Sequence, residues 1–270
     1  MIRNLLAILI LQAVIYSQSV KLFGTAQPGN ALIGFGENIS QVMLNNQKIM
    51  VDKSGTFFIG FDRDAEGTHL LKIKYNDGKS EVKKLELPKR EYDIQRINST
   101  KKQFSTPPEE ELPRIERERQ LMRAARNKIG KIDTAYFSSG FILPIKGGKL
   151  TGVFGSQRIL NGVPQNIHNG LDYSAPTGTD VYAMADGLVQ IAGDDFYYNG
   201  NFVLIDHGQG LSSVYLHFSK LTVETGEFVK KGQKIGEVGS TGRSTGPHLH
   251  WGVNWFNNKI DPHSLLGFGF

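Results

Sequence analysis

The sequence predicts a mainly β protein: a small β-sandwich-like unit, an amphipathic linking helix, and a glycine-rich β domain. Three observations carry this. Apolar and polar residues alternate with period two in short runs through both halves, and Asn, Asp and Gly punctuate those runs at hairpin spacing. Only one segment, in the middle, repeats its apolar residues at helical intervals. At 270 residues the chain is longer than one typical core needs, and 39% hydrophobic with 21% charged residues is an ordinary globular balance.

Residues 1–19, "MIRNLLAILILQAVIYSQS", have a basic start at Arg3, an apolar stretch from Leu5 to Ile15, and small residues Ser17 and Ser19 spaced like a processing site. They read as a secretory signal peptide. The apolar run falls short of the roughly 20 residues a spanning helix requires, so no stable membrane insertion is expected after cleavage. The chain has 0 cysteines, which excludes a disulfide framework and a thiol nucleophile. Any metal site must therefore use histidine and carboxylate. Arg3 is the only charged side chain before Val20, so the remainder keeps +4, one less than the chain's net +5. That balance suits polyanionic surroundings such as a cell wall, and no nucleic-acid partner is expected for an exported chain.

Residues 20–96 carry strand signals. In "HLLKIKYNDGKSEVKKLEL" Leu71, Ile73 and Tyr75 alternate with Lys72 and Lys74, and the run turns at Asp77-Gly78, a strong hairpin signal. "QVMLNNQKIMV" and "TFFIGF" read similarly, giving the sandwich-like domain. His69 sits beside a hairpin without a ligand partner and is structural. Residues 97–135 form the linker: Thr106-Pro107-Pro108-Glu109 has capping-box spacing, Pro113 suits a first helical turn, and Ile115, Met122, Ala125 and Ile129 share one helical face. From residue 136 to 270 the chain is rich in glycine and short strands, and this half holds six of the 7 histidines. Chemistry is to be sought there.

"STGRSTGPHLHWGVNW" ends in an alternating run that puts His248, His250, Gly252 and Asn254 on one strand face and Leu249, Trp251, Val253 and Trp255 on the other. Both imidazoles then point into the same space. Upstream, "HNGLD" spaces His168 and Asp172 four apart; on an extended chain His168, Gly170 and Asp172 face one way, and glycine leaves room for a ligand. In "LSSVYLHFS" alternation groups Ser213, Tyr215 and His217 against Val214, Leu216 and Phe218. His207 lies in a turn and His263 in an irregular tail, so both are left outside the site. Two histidines and a carboxylate meet the three-ligand requirement of a catalytic zinc, which keeps one position open for water. Amide hydrolysis needs in addition a proton acceptor and a donor for the oxyanion.

Taken together, "GVFGSQR", "HNGLD", "APTGTDVYAMADGLV", "VLIDHGQGLSSVYLH", "VKKGQKIGEVGSTG" and "STGRSTGPHLHWGV" resemble the lysostaphin-type zinc metallopeptidases, exported enzymes that cut peptide bonds in bacterial peptidoglycan. The resemblance covers residues 141 to 265 and implies an antiparallel two-sheet β peptidase domain with a groove over the metal. It implies one zinc ion per chain held by His168, Asp172 and His250, with His217 and His248 as the catalytic non-ligand pair. The resemblance, and not spacing, separates the role of His248 from that of His250. It further implies a zinc metalloendopeptidase acting on peptidoglycan peptide stems in the periplasm or cell envelope. A weaker likeness of the N-terminal β domain and helix to some Gram-negative envelope members favours cross-links between D-alanine and a diamino acid. Two other readings stand beside it: a non-catalytic relative that binds cell wall or activates another hydrolase, and a lipoyl- or biotinyl-carrier-like fold suggested by "ETGEFVKKGQKIGEVGS". The first would lack metal ligands, and the second needs a lysine at a tight turn that this stretch does not offer. The β domain and the helix are expected to lie across the groove and restrain it.

Overall fold

A computed structural model of the chain describes residues 19–97, 107–160 and 162–268. The leader reading and Thr106 of the capping box fall outside these residues.

The N-terminal part folds as two small sheets facing each other. β1 (Lys21–Gly24), β2 (Ala31–Phe35) and β5 (Thr56–Gly60) form one; β3 (Ile39–Leu44), β4 (Gln47–Ile49), β6 (Gly67–Tyr75) and β7 (Ser80–Leu87) form the other, in the order β4-β3-β6-β7. The period-two residues of β6 behave as the pattern requires: Leu71, Ile73 and Tyr75 are buried while Lys72 and Lys74 are exposed. Gly78 takes φ 85° in the β6–β7 turn, a conformation costly for any residue with a Cβ. β8 (Ile94–Ile97) leaves this unit and pairs in parallel with a strand of the C-terminal half.

A single turn of 3-10 helix at Glu109–Glu111 leads into α1 (Leu112–Arg126), with Pro113 in its first turn, where a missing N–H costs nothing. The expected stripe is the packed face: Ile115 and Ala125 are buried, and Met122 and the trailing Ile129 pack beside Ala125.

The C-terminal half contributes β9 (Lys149–Gly152), β10 (Gln157–Leu160), β11 (Val163–Ile167), β12 (Leu171–Ser174), β13 (Asp180–Tyr182), β14 (Gly187–Phe196), β15 (Gly200–Asp206), β16 (Leu211–Leu221), β17 (Phe228–Val229), β18 (Lys234–Val238), β19 (His248–Trp255) and β20 (Asn258–Ile260). Its main sheet runs β17-β14-β15-β16-β19-β12-β9, with β13, β18 and β20 attached off that path, while β11-β10-β8 stand as a separate sheet. All pairings of the main sheet are antiparallel.

Register fixes which residues share a face of this sheet, because directly opposed residues point the same way. Leu204 opposes Val214, Val214 opposes Gly252, Leu216 opposes His250, and His250 opposes Asp172. On this face α1 packs through Ala125 and Met122 against Phe202, Leu204, Val214 and Leu216. The opposite face presents Leu249, Trp251, Val253, Tyr215, Val203 and Ile205 to a dry core that runs without interruption into the N-terminal sheets. Phe58 of β5 lies 6.4 Å from Trp255 and 5.4 Å from Phe137. The buried Gln209 side chain ties the two parts by polar bonds, accepting from Phe58 N and donating to the carbonyls of Thr56 and Asp133 at 2.9–3.0 Å. The two sheets β1–β7 therefore stand behind the main sheet, while α1 packs on its front face, so the expectation that both cover the groove is corrected for these sheets of the β domain.

Candidate metal centre

β12 and β19 set the centre. Because Asp172 opposes His250 across an antiparallel pair, their side chains share the front face, and Asp172 Oδ1 lies 2.8 Å from His250 Nδ1. His168 arrives differently. The single extended run read for His168 to Asp172 is broken: β11 ends at Ile167, and β12 begins only at Leu171. The intervening turn folds the imidazole back, so that His168 Nε2 lies 3.0 Å from Asp172 Oδ1 and 3.2 Å from His250 Nδ1. Gly170 permits this, since a Cβ there would stand 2.5 Å from the Trp251 carbonyl oxygen and 2.9 Å from the His250 ring. Gly152 does the same below Asp172, whose carboxylate occupies the place of a Cβ.

The ligand atoms of His168, Asp172 and His250 lie within 4.8 Å of one another and are the group of at least three potential metal ligands found among the described residues. Their proton inventory fits a cation. His168 Nδ1 is 2.9 Å from the Val153 carbonyl, which can only accept, so that nitrogen carries the hydrogen and Nε2 of the neutral ring presents a lone pair. Two imidazole nitrogens and a carboxylate oxygen thus converge on one point, a donor set that fits a catalytic zinc. Burial would raise the Asp172 carboxyl, but protonated imidazoles at His168 and His250 outweigh it and hold the group well below the usual carboxylate range, the part a cation would play beside the neutral rings. Burial pulls His250 downward, against the Asp172 carboxylate that pulls it up.

His248 and His217 flank this group. The His248 ring is 4.8 Å from that of His217, and its Nε2 is 3.9 Å from Asp172 Oδ1. Each has its Nδ1 against a backbone carbonyl at 2.8 Å, Gly246 for His248 and Thr241 for His217. Both therefore expose Nε2 as the free lone pair. Burial pushes His217 down to about 4. Its position corrects the strand reading: His217 has φ 69° and interrupts the β16 ladder, so Tyr215 and Phe218 both enter the rear core while the imidazole joins the front face. Strict alternation would have buried it beside Tyr215. A bulge re-aiming one side chain at a site is a recurrent use of that irregularity.

His207 is fully buried between the Asp186 carbonyl and Ser213 Oγ, and His263 contacts Tyr173 Oη at 3.0 Å; both stand outside the cluster, as does His69, which meets Asn45. One contributor was missed from sequence. The loop 153–156 holds His168 by two backbone bonds, Gly155 N to His168 O and His168 N to Ser156 O, at 2.8 and 2.9 Å. Arg63 of the N-terminal unit donates twice to the Gly155 carbonyl, at 3.1 and 2.9 Å, with its guanidinium 4.2 Å from the Tyr92 ring centroid. No local pattern marks Arg63, since its partner is 92 residues away.

A front-face His/Asp/His cluster on a glycine-cleared antiparallel sheet, flanked by two further imidazoles, defines a metal-site β domain of the peptidase kind. Residues 166–262 match the model of peptidase family M23, so the chain carries a peptidase M23 domain there. It is similar to the peptidoglycan DD-endopeptidase ShyA of Vibrio cholerae, 49% identical over 84 residues that make up 31% of this chain and 19% of that protein. It is also similar to the DD-carboxypeptidase/endopeptidase Mpg of Neisseria meningitidis, 44% identical over 99 residues, 37% of this chain and 23% of the relative. The chain thus spans about a fifth of the length of these curated relatives. A Pseudomonas aeruginosa crystal structure assigned to peptidase M23 matches with TM-score 0.62 and 26% identity, covering 90% of this chain and 96% of that one. That match extends the shared fold beyond the peptidase domain to the N-terminal unit.

Proposed function

We propose that the chain is an exported zinc metalloendopeptidase that hydrolyses peptide cross-links of bacterial peptidoglycan in the periplasm or cell envelope. The observation that carries the proposal is the convergence of three potential ligand atoms with two further imidazoles beside them, each with its Nδ1 on a backbone carbonyl. His168 Nε2, Asp172 Oδ1 and His250 Nδ1 would hold one zinc ion. Bound there, zinc would act as a Lewis acid toward a carbonyl and bring the pKa of a water to about 7.

The chain's own residues supply the proton transfers. With Nδ1 fixed on a carbonyl, the Nε2 of His248 or His217 accepts a proton from the attacking water. The ring that takes it becomes a cation, whose Nε2–H then donates to the oxyanion of the tetrahedral adduct and afterwards to the leaving nitrogen. Water is consumed, the C–N bond breaks, and a carboxylate and an amine are released. Both named relatives carry a DD-endopeptidase activity in their names, which favours the bond between D-alanine and the diamino acid of the neighbouring stem. No helix among the described residues is long and apolar enough to cross a membrane. The test is digestion of sacculi by zinc-loaded protein, chelated protein and His250→Ala, with muropeptides analysed by mass. New D-alanine carboxyl ends with the first sample alone are expected; none with any sample, across several peptidoglycan chemistries, overturns the proposal.

A further inference from the structure

The front face of the main sheet holds a second feature besides the metal centre. Between α1 and the β14–β15 hairpin lies a cavity of 240 Å³, lined on the helix side by Arg119, Met122, Arg123 and Arg126 and on the hairpin side by Tyr198 and Asn199. The arginines recur at helical intervals and so share the helix face beside the packed stripe. The cavity has more cation than the protein neutralises. Its one acid, Glu118, is already committed to Arg114 Nε at 2.9 Å and to Tyr197 N at 2.9 Å. Arg119 has a loose pair with Glu116 at 3.6 Å, and Arg123 and Arg126 make no ion pair among the described residues.

This cavity adjoins the catalytic pair. Asn199, in its wall, accepts the His217 backbone N–H at 3.0 Å, and the loop carrying Thr241, on which His217 Nδ1 rests, donates Arg243 N to the Tyr198 carbonyl at 3.0 Å. A peptide laid along the front face from α1 to His217 would pass the arginines.

We propose that this cavity is an anionic-peptide subsite, in which Arg123 and Arg126 bind the free carboxylates of a cell-wall stem peptide and position it for the metal centre. The inference rests on the peptidase reading given above. Guanidinium forks match carboxylates in two-point geometry, and Met122 and Tyr198 offer apolar contact to the aliphatic parts of such a peptide. Because these residues lie on the linking helix and hairpin rather than beside the metal, they select substrate and do no chemistry.

The test compares full-length wild type, Arg123→Gln/Arg126→Gln and Arg123→Lys/Arg126→Lys. Two calorimetric titrants are used: a synthetic stem tetrapeptide with free carboxylates and its amide analogue. Hydrolysis of a cross-linked muropeptide is followed in parallel. The Gln pair is expected to weaken acid-peptide binding about fivefold to tenfold. It should raise KM by a like factor at unchanged kcat and zinc content. The Lys pair should recover part of the loss, and the wild type should prefer the acid over the amide peptide. Equal binding of acid and amide, or unchanged binding in the Gln pair, overturns the subsite even when the enzyme cuts muropeptides. A wild type that discriminates the peptides but cuts nothing leaves the subsite standing and defeats the peptidase reading instead.

Discussion

The two faces of the main sheet are built from the same strands and obey opposite rules. Behind, Leu249, Trp251 and Val253 of β19 are fully buried, and side chains fill the space into the N-terminal sheets. In front, the alternate residues His248 and His250 remain partly open, at 18% and 16% side-chain exposure, and the space around them is kept by glycines at 152 and 170. At β19 one face buries apolar area, and the other holds the imidazoles of the candidate metal centre. On the proposed function, stability and activity fall to alternate residues of a single strand, which is a separation that substitution can probe.

The largest effect is expected at the front. His250→Ala should lose bound zinc and reduce muropeptide cleavage by about three orders of magnitude or more, whereas His248→Ala should keep most of its zinc and still lose roughly 10²–10⁴-fold in rate. Metal content by mass spectrometry beside the rate separates the two, and equal zinc loss in both would dissolve the division of roles. Neither should move the melting temperature of the chelated protein much. Leu249→Ala, on the rear face between them, should do the reverse, costing about 2–5 kcal/mol in denaturant unfolding while the folded fraction keeps its zinc.

A smaller effect sharpens the comparison at its edge. Arg63 belongs to the rear unit but steadies the loop that carries His168. Arg63→Gln should weaken zinc binding by about tenfold, in the range found for groups that orient metal ligands, with kcat at saturating zinc nearly unchanged. Competition with a chromogenic chelator would measure it, and an unaltered affinity would show that the loop holds itself.

The smallest expected effect is a pH dependence from two buried groups at the junction of β15 and β16. Burial pushes His207 down to about 4, below its usual 6.5, so the unfolded chain binds more protons between these values and stability falls as pH drops through that window. Neighbouring Asp206 is pushed up to about 6 by burial, so the native state binds more protons between 3.8 and 6 and stability rises as pH drops there. The two largely offset. Asp206→Asn removes the compensating term, and its melting temperature should fall more steeply than that of wild type between pH 6.5 and 4. Parallel curves would mean that one of the two burials is not felt.

How far the site was legible depended on whether geometry was local. In β19, period two placed both histidines on one face, because eight residues of one strand carry the whole signal. Asp172 was found by spacing, but the turn that returns His168 to it was not, although Asn169-Gly170 is a turn dipeptide that an extended reading passes over. His217 was placed with Tyr215, and the positive φ that separates them leaves no trace in "VYLHFS". The metal-site set itself came from resemblance of the whole pattern.

By itself the sequence determined the β class, the helix and its packed stripe, and the strand of paired histidines, because each of these is written in periodicities a few residues long; the family resemblance lay in the whole set of motifs. Tertiary structure decided which sheet face meets solvent, that the N-terminal unit stands behind rather than across the site, that Arg63 reaches a loop 92 residues away, and that three arginines line a cavity beside His217. Those depend on register and on packing between distant segments. Register is set by many weak contacts acting together, and no short window of sequence contains them.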